Sequence, residues 1–446
     1  MQTRRDHLHA YRFAMGRLST ALVSGDPGRG DSPTGRAALG TFLGAGVVLL
    51  MCAGFGVYGI ISPPANTSWR TPGSIVVERQ TGSRYLYLGG ELRPVLNYSS
   101  ALLILGTGAT VRNVPSSSLG STPYGSPVGI AGAPDSLPAP SALLSGPWTQ
   151  CLRTGVPGGE VVDFDPANRT TGLPVGHQAL LAGPDGRRYL LWDGVLHPVP
   201  STSALIALGL DGDQELAAPQ GWLSALPSGA PLAAAPVSGS GRPGARVAGR
   251  PTEVGQLFST AGPGGDHDYV MTADGIAPVG ATEAALLAAS PGAAAVRPVA
   301  ATDLAAAPVS SAPPPGGTLP DVLDAPALTT GGSAMCLRQQ SAGAALSSQV
   351  VLERGPAATG SRAVLVPPTG GVLAVDQQQL AQQVSDPQTY LITDQGIACP
   401  LGDPQTQQTL GLGNAAAMPL PETVLAALPH GPVLDSSAAR LTVKGG

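Results

Sequence analysis

Six histidines and four cysteines are spread over 446 residues, and their spacing decides what chemistry the chain can host. The histidines stand at His7, His9, His177, His197, His267 and His430, and neither HExxH nor GxSxG occurs. The densest cluster of ligand types is GGDHDYV, with His267 between Asp266 and Asp268. No second His or Cys is near it in sequence, so it reads as a solvated turn leading into a strand rather than a metal site. A P-loop needs GxxxxGK followed by Ser or Thr, so that the lysine reaches the phosphates and the hydroxyl binds magnesium. The chain's one lysine, Lys444, precedes Gly445, which excludes that motif. GLGNAA from Gly411 fits GxGxxA in letters, but Pro419 and Pro421 interrupt the helix that would receive a pyrophosphate. These residues predict no catalytic, cofactor or metal site, and a net charge of -5 leaves no nucleic-acid footprint.

The cysteines point to a covalent tie instead. Cys52 lies inside a long apolar run, which leaves three for an oxidising exterior. The contexts SGPWTQCLR and GGSAMCLRQQ match around Cys151 and Cys336, so those two form the preferred pair, with Cys399 bonded to either of them as the rival. A bridge over so long a loop stabilises by up to roughly 5 kcal/mol in the chain-entropy model. It would join two half-segments into one central domain.

The apolar run, Ala37 to Ile61, is twenty-five residues without a charge. As a helix at about 1.5 Å per residue it exceeds a hydrocarbon core of roughly 30 Å. It lies behind a 36-residue head and is too long for a cleaved secretory signal. Residues 1 to 36 hold six arginines against three aspartates, so the head is expected in the cytoplasm and everything from Ser62 onward outside. Pro63 and Pro64 would stop the helix, Trp69 would sit at the outer interface, and Gly40 with Gly44 forms a GxxxG pair suited to close helix packing. In the head, Leu8, Tyr11, Met15, Leu18 and Leu22 alternate three and four apart, which predicts one apolar stripe on a helix ended by Gly25 and Pro27. Such a stripe needs the inner leaflet or a partner protein to cover it, and a partner is preferred because nothing else in the head can form a core.

Beyond the membrane a phrase recurs four times: RYLYLGGELRPV from Arg84, RYLLWDGVLHPV from Arg188, DYVMTADGIAPV from Asp268 and TYLITDQGIACPL from Thr389. Tyr85, Tyr189, Tyr269 and Tyr390 anchor the copies, and Pro94, Pro198, Pro278 and Pro400 close them. The last copy is one residue longer, an insertion placed beside Cys399. Each copy predicts a β-hairpin with a Gly-containing turn, followed by a short Ala/Leu or Gln-rich helix starting at Ser99, Thr202, Thr282 or Asp403. Unequal spacings between copies exclude a solenoid and favour separate modules.

Together the head TRRDHLHAYRFAMGRLSTALVSGDP, the single span, the four hairpins and the Cys151 and Cys336 contexts resemble EccB, a membrane core component of actinobacterial type VII (ESX) secretion systems. The resemblance covers essentially the whole chain. It implies an α+β fold with an elongated exterior, in which four hairpin-plus-helix repeats surround a β-rich, disulfide-held central domain. It also implies assembly with EccC, EccD, EccE and the mycosin protease, self-association through the exterior, an inner-membrane location, and export of WXG100-type proteins. The expected boundaries are 1–36 for the cytoplasmic head, 37–61 for the span, and 62–125, 173–228, 229–290 and 386–446 for the repeats. The central domain takes 126–172 and 326–385, and Ala/Pro-rich 291–325 is a linker. Two other functions compete with a structural subunit. A cell-envelope-binding protein would favour Trp and Tyr on the hairpin faces, where Trp192 is the one tryptophan in a repeat strand, and an ATP-hydrolysing component would need a route other than a P-loop.

Overall fold

The structure is a computed structural model that describes residues 4–25, 33–61, 67–262, 265–342 and 345–443. It contains two compact units. One comprises Met1–Arg70 with Val114–Ser121, and the other comprises Thr71–Asn113 with Thr122–Gly446. The expected stops at Pro27, Pro63 and Pro64, and the terminal Lys444, lie outside the described residues.

In the first unit, Arg4–Ser24 forms a helix of 21 residues and Pro33–Ile61 one of 29. The second helix starts four residues before the uncharged run, with Pro33 at its first position, where the missing N–H is not needed. Trp69 is fully buried rather than free for a membrane interface. Its Nε1 donates to the carbonyl of Ser118 at 3.1 Å, and the Arg70 guanidinium lies 5.0 Å from its ring centre.

The second unit is built on sheets. Each Tyr-to-Pro phrase forms two antiparallel strands in which the tyrosine stands directly opposite the proline: Tyr85 with Pro94, Tyr189 with Pro198, Tyr269 with Pro278, Tyr390 with Pro400. Two-residue turns close the first two, Gly89-Gly90 and Asp193-Gly194; both residues of each have positive φ, as the twist of a tight hairpin requires. In the fourth phrase the register runs unbroken through Leu391 and Cys399 to Ile392 and Ala398. The extra residue therefore belongs to the 393–397 loop, not beside Cys399.

Each hairpin gains two further strands, giving four sheets of four strands in one order. The strand before the tyrosine strand is Ser74–Glu78, Gln178–Ala182, Leu257–Gly262 or Val372–Asp376. The strand after the helix is Thr110–Val114, Leu216–Ala217, Arg297–Pro298 or Met418–Leu420, and the last three of these pair in parallel. Two expected boundaries change as a result. Val372–Asp376 pairs with Thr389–Ile392 and not with the central strands, and the Ala/Pro tract is no plain linker. Its Arg297–Pro298 pairs with Phe258 and Ser259, while Leu304 and Val322 are buried.

The helices sit where the sequence puts them; the first three take their N-caps from residues other than Ser99, Thr202 and Thr282, and the fourth is capped by Asp403 as expected. Asn97 caps Tyr98–Leu105 in place of Ser99, Ser201 caps Thr202–Ala207, Gly280 precedes Ala281–Ala288, and Asp403 accepts from the Thr406 N–H at 2.7 Å. Gly411 and Gly413 follow the C-terminus of that last helix, so GLGNAA offers no helix N-terminus to a phosphate. His267 lies within the strand Gly265–Met271 opposite Thr260.

A sixfold sheet joins Trp148–Leu152, Glu160–Asp163 and Thr170–Gly172 with Ala334–Ala342, Ala345–Glu353 and Val364–Leu365. The chain leaves it after Gly172, forms the second and third four-stranded sheets, and returns at Ala334. Apolar contacts order the rest. The first and fourth sheets share a core through Leu86, Leu103, Leu391 and Leu410, and the second and third through Leu190, Leu205 and Leu286. The sixfold sheet packs on the fourth through Trp148 and Phe164, and on the second through Leu337 and Trp222.

Candidate functional site

The apolar stripe of the head is a row of uncovered side chains. Leu8, Tyr11, Met15, Leu18 and Leu22 are 51–80% exposed, and no residue of their helix is buried. Sequence reasoning missed Phe13. It lies five residues past Leu8, on the far side at about 100° per residue, and it is 50% exposed with the Arg17 guanidinium 5.9 Å from its ring centre. An arginine four residues after an aromatic is the signal that could have found it.

The apolar helix is equally bare. Ala37–Val57 is long and apolar enough to cross a membrane and none of it is buried. A Cβ added at Gly40 or Gly44 would meet nothing within 4 Å, so the GxxxG face is open in the single chain.

Among the described residues the one disulfide lies in the sixfold sheet. Cys151 and Cys336 stand opposite each other on neighbouring antiparallel strands, and their sulfurs are bonded. Cys399 is a free, buried thiol whose pKa burial pushes up to about 11. The residue next to the bridge was not anticipated. Glu353 is fully buried, and its Oε2 lies 3.5 Å from Cys151 Sγ. Thr149 Oγ1 donates to that oxygen at 2.5 Å, while Oε1 has no hydrogen-bond partner and is 3.8 Å from Arg169 Nε. Arg169 binds Asp163 more closely, Nη2 to Oδ2 at 2.7 Å. Burial, then the neighbouring Asp163, push the Glu353 carboxyl up to about 7 against the opposing pull of Thr149 and Arg169. Its signal in the sequence is an acid closing the apolar run QVVLERG, where a strand leaves little room for water.

Cys151, Cys336 and Glu353 fall within one small cluster, but with both sulfurs in the disulfide neither offers a thiolate to a metal. The arrangement thus supplies one buried proton-exchanging group beside a disulfide, and two uncovered apolar helices that can make contacts.

Comparison with known proteins gives one consistent result. The family described as "Type VII secretion system ESX-1, transport TM domain B" matches residues 1–445. The "ESX-1 secretion system ATPase EccB1" of Mycobacterium tuberculosis is 28% identical, with 98% of this chain and 94% of the relative covered. The "ESX-3 secretion system ATPase EccB3" of Mycolicibacterium smegmatis is 27% identical over 64% of this chain and 56% of its own length. Among solved structures, a chain of an intact ESX-5 inner membrane complex superimposes with a TM-score of 0.56 at 22% identity, covering 100% of this chain and 96% of that one. A chain of the EccB3 dimer from the ESX-3 core complex gives 0.53 at 24%, covering 82% and 99%.

Proposed function

Because this chain belongs to the EccB family of type VII secretion proteins, we propose that it is a structural, membrane-anchored subunit of an ESX secretion complex. In this reading the apolar helix crosses the inner membrane once, with the arginine-rich head in the cytoplasm and the sheets outside. The head stripe docks a partner on the motor side. The open Gly40 and Gly44 face packs against another membrane helix, and the exterior self-associates. The four sheets act as repeat domains flanking the disulfide-held sixfold sheet, and EccC, EccD, EccE and a mycosin protease are the partners in exporting WXG100-type proteins. The observation that carries the reading is the wholly unburied span Ala37–Val57 behind a head helix with no buried residue, since both need cover that the described residues do not provide.

Purification through a C-terminal tag in mild detergent tests it. Co-elution of the other ESX membrane components is expected; recovery of the chain alone, or with envelope polymers only, overturns the scaffold. The names of the relatives favour a second reading, nucleotide hydrolysis. The sequence has no GxxxxGK[ST], so that activity would have to survive with no lysine on the phosphates. ATP turnover by the purified chain, lost in a variant of an exterior residue, would establish it.

A further inference from the structure

The sixfold sheet aligns three groups that would react in order. Cys151 Sγ lies 3.5 Å from Glu353 Oε2, and Thr149 Oγ1 fixes that oxygen. Cys336 Sγ also lies within 4.8 Å of the Glu353 carboxylate, but its 3.5 Å contact is with its strand neighbour, the carbonyl of Ala334, so Cys151 is the sulfur in close contact with the acid. Glu353 is fully buried with one oxygen lacking a hydrogen bond, a costly arrangement if its only task were to fill the sheet.

We propose that Glu353 is the proton acceptor that activates Cys151 for closing the bridge to Cys336. The two cysteines are 185 residues apart, so the pair forms only when the second half of the sheet returns after the inserted sheets. During that return the Cys336 thiolate attacks a disulfide RSSR of a thiol–disulfide carrier, giving Cys336–S–SR and releasing RS⁻. When Ala334–Ala342 pairs with Trp148–Leu152, the Cys151 thiol passes its proton to the Glu353 carboxylate. The Cys151 thiolate then attacks Cys336 Sγ; the new S–S bond forms as the Cys336–SR bond breaks, and the electron pair leaves on RS⁻. That thiolate takes up a proton from Glu353 or water. Two thiols are thereby oxidised and one RSSR is reduced to two RSH.

The surroundings suit a proton acceptor at neutral pH. Asp163 and Arg169 are the charged groups that face Glu353, and they largely answer each other. Glu160, on the same strand as Asp163, is taken by Gln150 at 2.6 Å, and Arg153 by the Ala357 carbonyl. In the bridged sheet burial pushes the Glu353 carboxyl up to about 7, toward the range in which a carboxyl both holds and accepts a proton near neutral pH. An unassisted thiol with a pKa of about 8.5 is only a few per cent thiolate at pH 7.

The test uses the full chain in detergent, unfolded and reduced, then refolded with oxidised glutathione as RSSR. Closure is quenched with a maleimide and followed by intact mass from pH 6 to 9. Wild type should close at a rate that rises through pH 7 and levels off. Glu353→Gln should be slower at pH 7 by roughly tenfold or more and approach wild type near pH 9. Thr149→Val, which removes a bond favouring the carboxylate, should move the inflection upward, and it decides the matter if Glu353→Gln fails to fold. Equal rates with the same pH profile in Glu353→Gln, or an unmoved inflection in Thr149→Val, would overturn the proposal.

Discussion

Gly229 lies against the imidazole of His197, so closely that a Cβ on it would stand 2.3 Å from Cε1. Gly229 closes a Pro-Ser-Gly segment that bridges to the second hairpin: Leu196 N–H donates to the Pro227 carbonyl at 2.9 Å and Gly229 N–H to the Leu196 carbonyl at 2.8 Å. The other sheets repeat the contact, with Leu92 on Pro123, Ile276 on Pro308 and Ala398 on Pro429, each at 2.8 Å. Where the facing residue is large, as with Arg93, His197 or Cys399, the third position is Gly125, Gly229 or Gly431. In the third sheet the facing residue is Ala277, and Ser310 takes the place of the glycine. The pairing is steric.

Gly229→Ala should therefore destabilise the chain by about 1–3 kcal/mol through overpacking. Combined with His197→Ala, it should cost less than the sum of the two single changes, because the pair then approaches the Ala277 and Ser310 arrangement. Chemical denaturation of the four proteins reads the coupling, and strictly additive losses would refute the steric account.

These segments show where the sequence was legible. The Tyr-to-Pro phrases announce themselves through alternating residues and a glycine turn, and Tyr189 does stand opposite Pro198. Leu216–Ala217 and Arg297–Pro298 are two-residue strands, too short for any period to register, and their pairing is set by the helix before them. Pro308-Val-Ser looked like part of a proline-rich linker because its pairing with Ile276 runs through backbone groups, the Pro308 carbonyl and the Ser310 N–H, which most residues supply. The third sheet even lacks the bond by which Val128, Leu232 and Leu434 donate to Pro94, Pro198 and Pro400, since Pro313 at that place has no N–H. Glu353 was missed for a related reason: its surroundings come from strands up to two hundred residues away.

Thiol mapping without reductant should find Cys151 and Cys336 unreactive in the folded protein. Cys399 should resist alkylation at neutral pH until the chain is unfolded, being fully buried with its thiol pushed up to about 11. Cys151→Ala should cost about 2–5 kcal/mol and loosen the sixfold sheet first. The four hairpins own local contacts and should outlast it. Labelled Cys151 in folded, unreduced protein would sink the pairing.

Stability should fall as pH rises through neutrality because of Glu353. Its folded pKa, about 7, lies above the unfolded value of a glutamate, so the folded state holds the proton more tightly. That contribution is fully present below about pH 4 and is lost as pH climbs to 7 and beyond. Glu353→Gln cannot ionise and should flatten this slope, with Tm at pH 8 falling less relative to pH 5 than in wild type, by at least about 2 °C. Parallel Tm profiles for the two proteins would show that Glu353 does not titrate there.

A single crossing with the exterior outside predicts how protease should act on spheroplasts. Protease added to intact spheroplasts should degrade the sheets beyond residue 67 and spare the head, including Arg12 and Leu18. Protection of the sheets would reverse the orientation drawn from the arginines of residues 1–36.

In the proposed topology, with one crossing and all the sheets on one side of the membrane, the head is where the chain can meet components on the other. Leu8, Tyr11, Met15, Leu18 and Leu22 form one apolar row with no core of their own to enter, and covering one leucine contributes roughly 1.5–3 kcal/mol. Leu18→Asp should weaken assembly while leaving the exterior folded. Phe13, on the opposite face under Arg17, discriminates a groove from a flat surface. A partner that wraps the helix needs both faces, so Phe13→Ser should then also shrink the complex; a membrane leaflet would leave it unaffected. Arg12→Ala adds the electrostatic side, mattering little in a protein groove and about as much as Leu18→Asp on anionic lipid. Native-gel size of the membrane complex reads all three. A full-sized complex from Leu18→Asp would mean that the span and the outer sheets hold the assembly without the head.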